Sequence, residues 1–537
     1  MTRSGVHQSG ALEKKRKPQR PSWDEYFMQV ANVVKSRSTC LSSAKGAVLV
    51  SGRQIVSTGY NGTPAGTRHC DEGGCARCLA VKEGRLKSGM NLDACACLPG
   101  DTVLMGDNKP ISEYQVGDSV AGMHRLNKVG ETFVRDYEGD MVTVEAKGIL
   151  PFSLTPEHPL LVINADNRPN RELPNLKMEW RLAGALKERH NRPRYSKGDY
   201  LLLPRIDGDI DARVIPLDWK RSRGRLKHKI KSFPLNSSTA WLLGLYVAEG
   251  FATVGRIYLS LHSRERPIAE KAVRILESIG ATATIKDVPD EECIIVDCCS
   301  AVLGRTFYSW FGHLAPNKRI PDFLMYHKDL EIVEAFLDGY SLGDGNWARS
   351  SSNDGSKNQL QISTASSLLA SQVQLLFARL GRYASVYNNQ HAKEAKIQGR
   401  TVRTNEAYTV RYSPKNTNVR VFDGEDHKFF MLPVRSVRTA HYSGKVYNIG
   451  TESDNTYLVS NIVSHNCSHS EENAIVQAAK NGIPTSGCTL YSTHSPCTYC
   501  SKMIINAGIK KVVASTAYPD QLGVRLMKEA GLQLVII

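Results

Sequence analysis

His469-Ser470-Glu471 and, downstream, Pro496-Cys497-Thr498-Tyr499-Cys500 hold the residue types from which a hydrolytic metal centre can be built. Two cysteines separated by two residues at a helix start can turn both thiolates onto one ion, favoured by the positive end of the helix. A histidine from a neighbouring helix start makes three protein ligands, which leave a zinc ion an open fourth position for water. Glu471 is near enough to shuttle a proton from that water to a departing amine. His469, Cys497 and Cys500 are therefore the candidate Zn²⁺ ligands, and Glu471 the candidate proton shuttle. A structural zinc knuckle or a redox pair would use the same cysteine spacing, but neither needs the His-x-Glu upstream.

A second set of residues could act on the chain itself. Cys97-Leu98-Pro99-Gly100-Asp101-Thr102 opens an interval that closes at His465-Asn466, with Cys467 immediately after it. Cys97 can attack the preceding carbonyl to give a thioester at Ala96, and Cys467 can take over that acyl group. Asn466 can then cyclise and cleave behind itself, after which a sulfur-to-nitrogen shift restores a peptide bond. Excision would remove 370 of the 537 residues and leave 167, one domain in size. These borders resemble the splice junctions of inteins. By that resemblance Thr155 and His158, in Thr155-Pro156-Glu157-His158, polarise the first scissile amide, and His465 assists Asn466. Val446-Tyr447-Asn448-Ile449 and Asn455-Thr456-Tyr457-Leu458-Val459 resemble the terminal β-hairpin of the splicing fold, with Asn448 where aspartate is common.

The elements that must position the first set alternate tightly. Apolar periodicity predicts helices over 471–480, 496–507 and 521–530, and strands over 488–492, 511–515 and 532–537. Near the start it predicts a helix over 23–35 and a hairpin of 46–50 with 55–59, turning at Ser51-Gly52. The loop Gly59-Tyr60-Asn61-Gly62-Thr63-Pro64-Ala65-Gly66 could bring backbone amides close to a phosphate.

Trp23-Asp24-Glu25-Tyr26-Phe27-Met28, the Gly-Tyr-Asn-Gly loop, and the H-x-E and P-C-x-x-C motifs together resemble the deoxycytidylate (dCMP) deaminases of the cytidine/deoxycytidylate deaminase family. The resemblance covers most of both terminal segments. It implies a cytidine-deaminase-like three-layer α/β sandwich, dCMP as substrate, conversion of dCMP and water to dUMP and ammonia, and a homo-oligomer, commonly a hexamer. It also implies nucleotide contacts from Asn61 and Tyr518. Ser470 departs from the alanine usual there, and Tyr499 from a polar or acidic residue. Cys70, Cys75 and Cys78, joined by Cys40 or Cys95, hold a second, structural zinc in one reading and are unpaired thiols in the other. Another zinc deaminase, acting on nucleosides, riboflavin intermediates or tRNA, is the rival within enzymes.

Inside the interval, Leu242-Leu243-Gly244-Leu245-Tyr246-Val247-Ala248-Glu249-Gly250 and Leu337-Asp338-Gly339-Tyr340-Ser341-Leu342-Gly343-Asp344-Gly345 are similar to each other. Each reads as a helix ending in an acid and a glycine. Packed together, two such helices would bring Glu249 and Asp344 to one end, where paired carboxylates can hold Mg²⁺ against a DNA phosphate. The pair resembles the LAGLIDADG homing endonucleases, which implies double-stranded DNA as partner, and Lys318 matches a lysine found near their active sites. Basic residues from Lys220 to Lys231 suit duplex backbone contact. A chain acting chiefly as a DNA-cleaving mobile element is the reading from a different class.

A formal charge of +16 agrees with an anionic partner, nucleic acid or a phosphorylated small molecule, without choosing between them. No apolar run reaches the ~20 residues of a membrane span. The first twenty residues lack the apolar stretch of a secretory signal, so no membrane partner and a cytoplasmic location are expected. Thirteen cysteines in such a chain read as ligands or nucleophiles rather than disulfides. The expected organisation is a basic tail over 1–20, deaminase parts over 21–96 and 467–537, an all-β splicing domain over 97–235 and 426–466, and an α+β endonuclease over 236–425.

Overall fold

A computed structural model of the chain describes residues 20–40, 44–62, 97–156, 158–164, 178–189, 198–217, 230–288, 292–349, 358–390, 394–397, 400–403, 406–414, 419–423, 428–451, 456–465, 470–496, 498–517 and 521–537. The ends of the chain, up to Gly62 and from Ser468, form one compact unit, and Thr63–Cys467 forms another.

The unit made of the two ends is built on strand Gly46–Ser51, whose first five residues are buried. Burial on both faces follows from its alternation. Ala47 and Leu49 pack against Ala474, Ala478, Ile504 and Met527 on one side, while Val48 and Val50 meet Phe27, Met28 and Ala31 on the other. Each such buried Val or Leu contributes about 1.5–3 kcal/mol. The five-stranded sheet runs Gln54–Tyr60, Gly46–Ser51, Thr489–Ser492, Lys511–Ala514, Gln533–Ile536. Its first two pairings are antiparallel and its last two parallel. Helix Trp23–Lys35 covers one face, its start fixed by a reciprocal Ser22–Glu25 capping box. Helices Ser470–Lys480, Thr498–Asn506 and Gln521–Glu529 supply the opposite layer, giving the expected three-layer sandwich.

The hairpin turn lies one residue later than the spacing predicts. Gly52 and Arg53, with φ of 53° and 68°, form the two-residue link. Two left-handed residues match the twist of the flanking strands, and an irregularity between Leu49 and Val50 takes up the shift.

The interior unit contains an eleven-stranded sheet with the path Thr456–Val459, Ile462–His465, Pro159–Asn164, Asp199–Pro204, Lys428–Thr451, Leu126–Ala146, Ser119–Ala121. The terminal hairpin differs from the expected pairing of 446–449 with 455–459. Val446–Ile449 instead lies within the long strand, opposite Arg135–Thr132. Thr456–Val459 pairs with Ile462–His465, because Ser460 and Asn461 adopt φ of 49° and 65° and close a two-residue turn there.

Between these strands the same α-β-β-α-β-β module occurs twice. The first runs from helix Ser237–Glu249 to strand Cys293–Cys299, and the second from helix Leu330–Gly343 to strand Ala407–Tyr412. Each four-stranded sheet places its strands in the order first, second, fourth, third along the module, apart from the exchange of the two small strands of 394–403 into a separate pair. The leading helices of the two modules pack on each other through reciprocal glycines. A Cβ on Gly244 would lie 2.0 Å from the Phe336 carbonyl oxygen, and one on Gly339 would lie 2.0 Å from that of Trp241. Among the described residues, no helix is long and apolar enough to cross a membrane.

Candidate functional sites

Glu471 stands in the first turn of helix Ser470–Lys480 and is 4% exposed. The helix can lie this close to the sheet because Gly59 has no side chain: a Cβ there would come within 2.3 Å of the Ser470 carbonyl oxygen. Two buried hydroxyls hold the carboxylate. Ser470 Oγ donates to Oε2 at 3.0 Å, and Ser492 Oγ donates to Oε1 at 2.5 Å. Cys500 Sγ lies 3.8 Å from Oε2 and is fully buried. A buried thiol beside a fixed carboxylate, on a helix preceded by Pro496, is a donor arrangement that suits zinc. His469, Cys497 and Tyr518 lie outside the described residues, as do Cys70, Cys75, Cys78 and Cys95. Among the described residues, no three His, Cys, Asp or Glu side chains form a metal-binding group.

At the first border, Cys97 is buried against Met141 and Val446. Its backbone N–H, which belongs to the Ala96–Cys97 amide, donates to Thr155 Oγ1 at 3.2 Å. The Thr155 N–H donates back to the Cys97 carbonyl at 3.0 Å. His158 Nδ1 is 3.3 Å from the same carbonyl, so the ring touches the carbonyl of Cys97 rather than its amide nitrogen. Thr155 and His158 are both wholly buried, and burial pulls the His158 pKa down to about 3, against the opposing contact with Cys97. The imidazole is therefore neutral at ordinary pH. On its far side, Nε2 meets Ser464 Oγ, with the Tyr457 hydroxyl 3.5 Å away. That hydroxyl donates to Asn448 Oδ1 at 2.8 Å. The His465 backbone ends its strand, while its side chain, Asn466 and Cys467 lie outside the described residues.

The glycine-packed helices bring three further site residues together. Glu249 ends the first helix and Asp344 caps the second. The Glu249 carboxylate sits beside Gly343, where a Cβ would come within 2.6 Å of its Oε1. Lys318 Nζ donates to the carbonyls of Val247 at 2.5 Å and Ala248 at 3.3 Å, closing the first helix. Burial pushes the Asp344 pKa up to about 7, with Lys318 opposing and Glu249 adding to the rise. Burial also raises Glu249 and lowers Lys318. Burial thus favours the neutral forms of all three groups, and a divalent ion would favour the charged carboxylates. The basic stretch from Lys220 falls outside the described residues up to position 229.

The family model for the cytidine and deoxycytidylate deaminase zinc-binding region matches residues 21–99 and 424–516. A LAGLIDADG-like domain matches 236–307 and 331–415. A deoxycytidylate deaminase of Schizosaccharomyces pombe is 48% identical over 79 residues, which are 15% of this chain and 23% of that protein. The chain carries a cytidine and deoxycytidylate deaminase region split around a LAGLIDADG-like domain. Two other relatives match a far larger share of it. An ATP-dependent DNA helicase Hel308 of Thermococcus kodakarensis is 28% identical over 423 residues, 69% of this chain and 36% of the helicase. An iron-sulfur cluster assembly SufBD family protein of Mycobacterium tuberculosis is 28% identical over 397 residues, again 69% of this chain and 43% of that protein. The chain thus spans less than half the length of these curated relatives.

In the split deaminase region, Asn61 follows the last strand of the hairpin. Its Oδ1 accepts from Ser38 Oγ and from the Lys45 N–H, both at 2.7 Å. The described side of Asn61 therefore anchors its own loop. Cys40 is half-buried, and its N–H donates to Ser38 Oγ. Ser492 and Ser464 have no motif in the sequence, and although Asn448 and Tyr457 lie in the stretches that resemble the splicing fold, their contact is not written there. For Ser492 the one available signal is a hydroxyl two positions after buried Leu490, on the same face of its strand.

Proposed function

We propose that the chain is the precursor of a zinc-dependent dCMP deaminase carrying a self-splicing insert, Cys97–Asn466, that also bears a site-specific DNA endonuclease. The observation that carries this reading is the pairing of Gly46–Ser51 with Thr489–Ser492. Segments on either side of the insert share one sheet and one core, as two parts of a single domain do. The insert makes up 370 of 537 residues, a share equal to the 69% of the chain over which a helicase and an iron-sulfur assembly protein are similar to it. A segment that resembles parts of proteins with such different names behaves as a unit separate from its host.

The splicing chemistry needs only acyl transfer within the chain. Cys97 Sγ attacks the Ala96 carbonyl, and the amide nitrogen leaves as the Cys97 amine with the proton given up by the thiol, while Thr155 Oγ1 holds that N–H in place. Cys467 Sγ then takes the acyl group and frees the Cys97 thiol. The Asn466 side-chain nitrogen attacks its own carbonyl, releasing the Cys467 amine, to which the acyl group moves from sulfur. Bonds formed and broken balance at every step, with no outside reactant.

In the joined product, His469, Cys497 and Cys500 would hold zinc, which supplies the acidity that makes a water nucleophilic at neutral pH. Glu471, fixed by Ser470 and Ser492, takes the proton from the attacking water and delivers it to the departing amine, converting dCMP to dUMP and ammonia. A homo-oligomer, commonly a hexamer, a cytoplasmic location, nucleotide contacts from Asn61 and Tyr518, and a second zinc at Cys70, Cys75 and Cys78 with Cys40 or Cys95 belong to the same proposal. For the insert, the Glu249–Asp344–Lys318 cluster supports Mg²⁺-dependent cleavage of double-stranded DNA.

Assaying the purified product against dCMP and free cytidine tests the host activity, with dCMP the expected substrate. Equal turnover of cytidine would place it with the nucleoside deaminases instead. Because only Cys467 and Ser468 separate the insert from His469, the metal site is expected to form fully only after excision, and full deamination by the unspliced Asn466→Ala chain would contradict that.

A further inference from the structure

Ser464 lies in strand Ile462–His465, two positions before Asn466, and is wholly buried. Its Oγ is in hydrogen-bonding contact with His158 Nε2 and is 3.3 Å from the Pro159 carbonyl. The opposite ring nitrogen, Nδ1, faces the Cys97 carbonyl at 3.3 Å. A carbonyl oxygen can only accept, so the Nδ1 of a neutral ring must carry the proton and Nε2 must present its lone pair. The Tyr457 hydroxyl gives its hydrogen to Asn448 Oδ1. Ser464 is then the group that donates to Nε2, and the closer contact wins over the longer one to Pro159.

We infer that Ser464 is a positioning residue of the excision reaction. Its hydroxyl holds His158 in the Nδ1–H form against the Cys97 peptide. It also ties the histidine of the first junction to the strand that leads into the second. A shift of that strand, as Asn466 engages, changes the donor on Nε2 and with it the hold on Cys97. One hydroxyl thus couples thioester formation at Ala96 to the conformation of the chain just before the asparagine. This inference rests on the splicing reading above.

The test uses the full chain carrying Asn466→Ala and Cys467→Ala, so that only the first acyl shift can proceed and dithiothreitol releases the N-terminal fragment. Ser464→Ala is expected to slow release tenfold or more, within the range for a positioned proton-transfer partner. Ser464→Thr, which keeps the hydroxyl, should stay within about threefold of the parent. Nitrogen NMR of the His158 ring should show a protonated Nδ1 and a hydrogen-bonded, unprotonated Nε2 in the parent and the Thr variant, with the Nε2 signal displaced in the Ala variant. Unchanged release in Ser464→Ala overturns the inference. So does equal loss in both variants with an unchanged ring signature, which would mark a packing role. If the parent itself releases no fragment in dithiothreitol, the splicing reading beneath it fails instead.

Discussion

The interior unit holds two buried clusters that handle charge in opposite ways. Around Cys97 the described groups are neutral: a threonine hydroxyl, an imidazole with its pKa pulled to about 3, a serine and a tyrosine, linked by hydrogen bonds. At the ends of the glycine-packed helices, two carboxylates with raised pKa values share a lysine whose hydrogens go to helix carbonyls. An acyl transfer within one chain, as proposed for the first cluster, needs no partner. At the helix ends burial favours the protonated carboxylates, and a bound cation would favour their charged forms. On the proposed reading, the contrast separates an intramolecular reaction from one that recruits its reactants.

The largest expected effect breaks the two apart by substitution. Cys97→Ala should abolish thioester formation and splicing altogether, read as an uncleaved chain on a denaturing gel, while leaving cleavage of DNA in place. Asp344→Ala should do the reverse, with loss of duplex cutting and a normal yield of excised insert. Cutting that survives Asp344→Ala would remove that carboxylate from the site.

A smaller effect lies in pH dependence, where the clusters have opposite signs. His158 stays unprotonated down to about pH 3, while the unfolded chain takes up a proton near 6.5, so its contribution falls as the solution is acidified through that window. Asp344 keeps its proton up to about pH 7 when folded and loses it near 3.8 when unfolded, so its contribution falls as pH rises between those values. Mg²⁺ should therefore raise the melting temperature of the interior unit more at pH 8 than at pH 5.5, and Asp344→Asn should remove that difference. Calorimetry in both buffers reads it, and an equal Mg²⁺ effect at the two values would count against ion binding at these acids.

The smallest effect concerns the unit built from the two ends. Asp24 accepts from the Tyr491 hydroxyl and the Lys511 ammonium, each at 2.7 Å, and so bridges residues on either side of the insert. These contacts hold its carboxyl below the usual range, against the cost of burial. Asp24→Ala should cost the spliced domain about 1 kcal/mol, since the groups are part-exposed. Urea melts of the spliced domain would detect it, and no change would mean the bridge is incidental.

Much of this was legible in the residues because it is local. The glycine spacing in the two similar segments marked the helix pair and its acidic ends, since close helix packing demands the absence of Cβ at Gly244 and Gly339. Alternation located the strands and helices from 471 onward to within two residues. What was not legible depends on partners far apart in sequence. Ser492 reaches Glu471 from a different element, and Ser464 reaches His158 across 306 positions. No periodicity encodes such pairs. The terminal hairpin was misassigned for a related reason: Val446–Ile449 has a strand's composition, but its partner is set by the long strand Leu126–Ala146, not by its neighbour in sequence.

The central claim, that the interior removes itself and joins the ends, is tested most directly by intact-mass measurement of the purified product of this 537-residue sequence. Two species are expected, a 167-residue chain in which Ala96 is joined to Cys467 and a 370-residue insert ending in a cyclised Asn466. A single full-length mass, with deaminase activity already present, would contradict it.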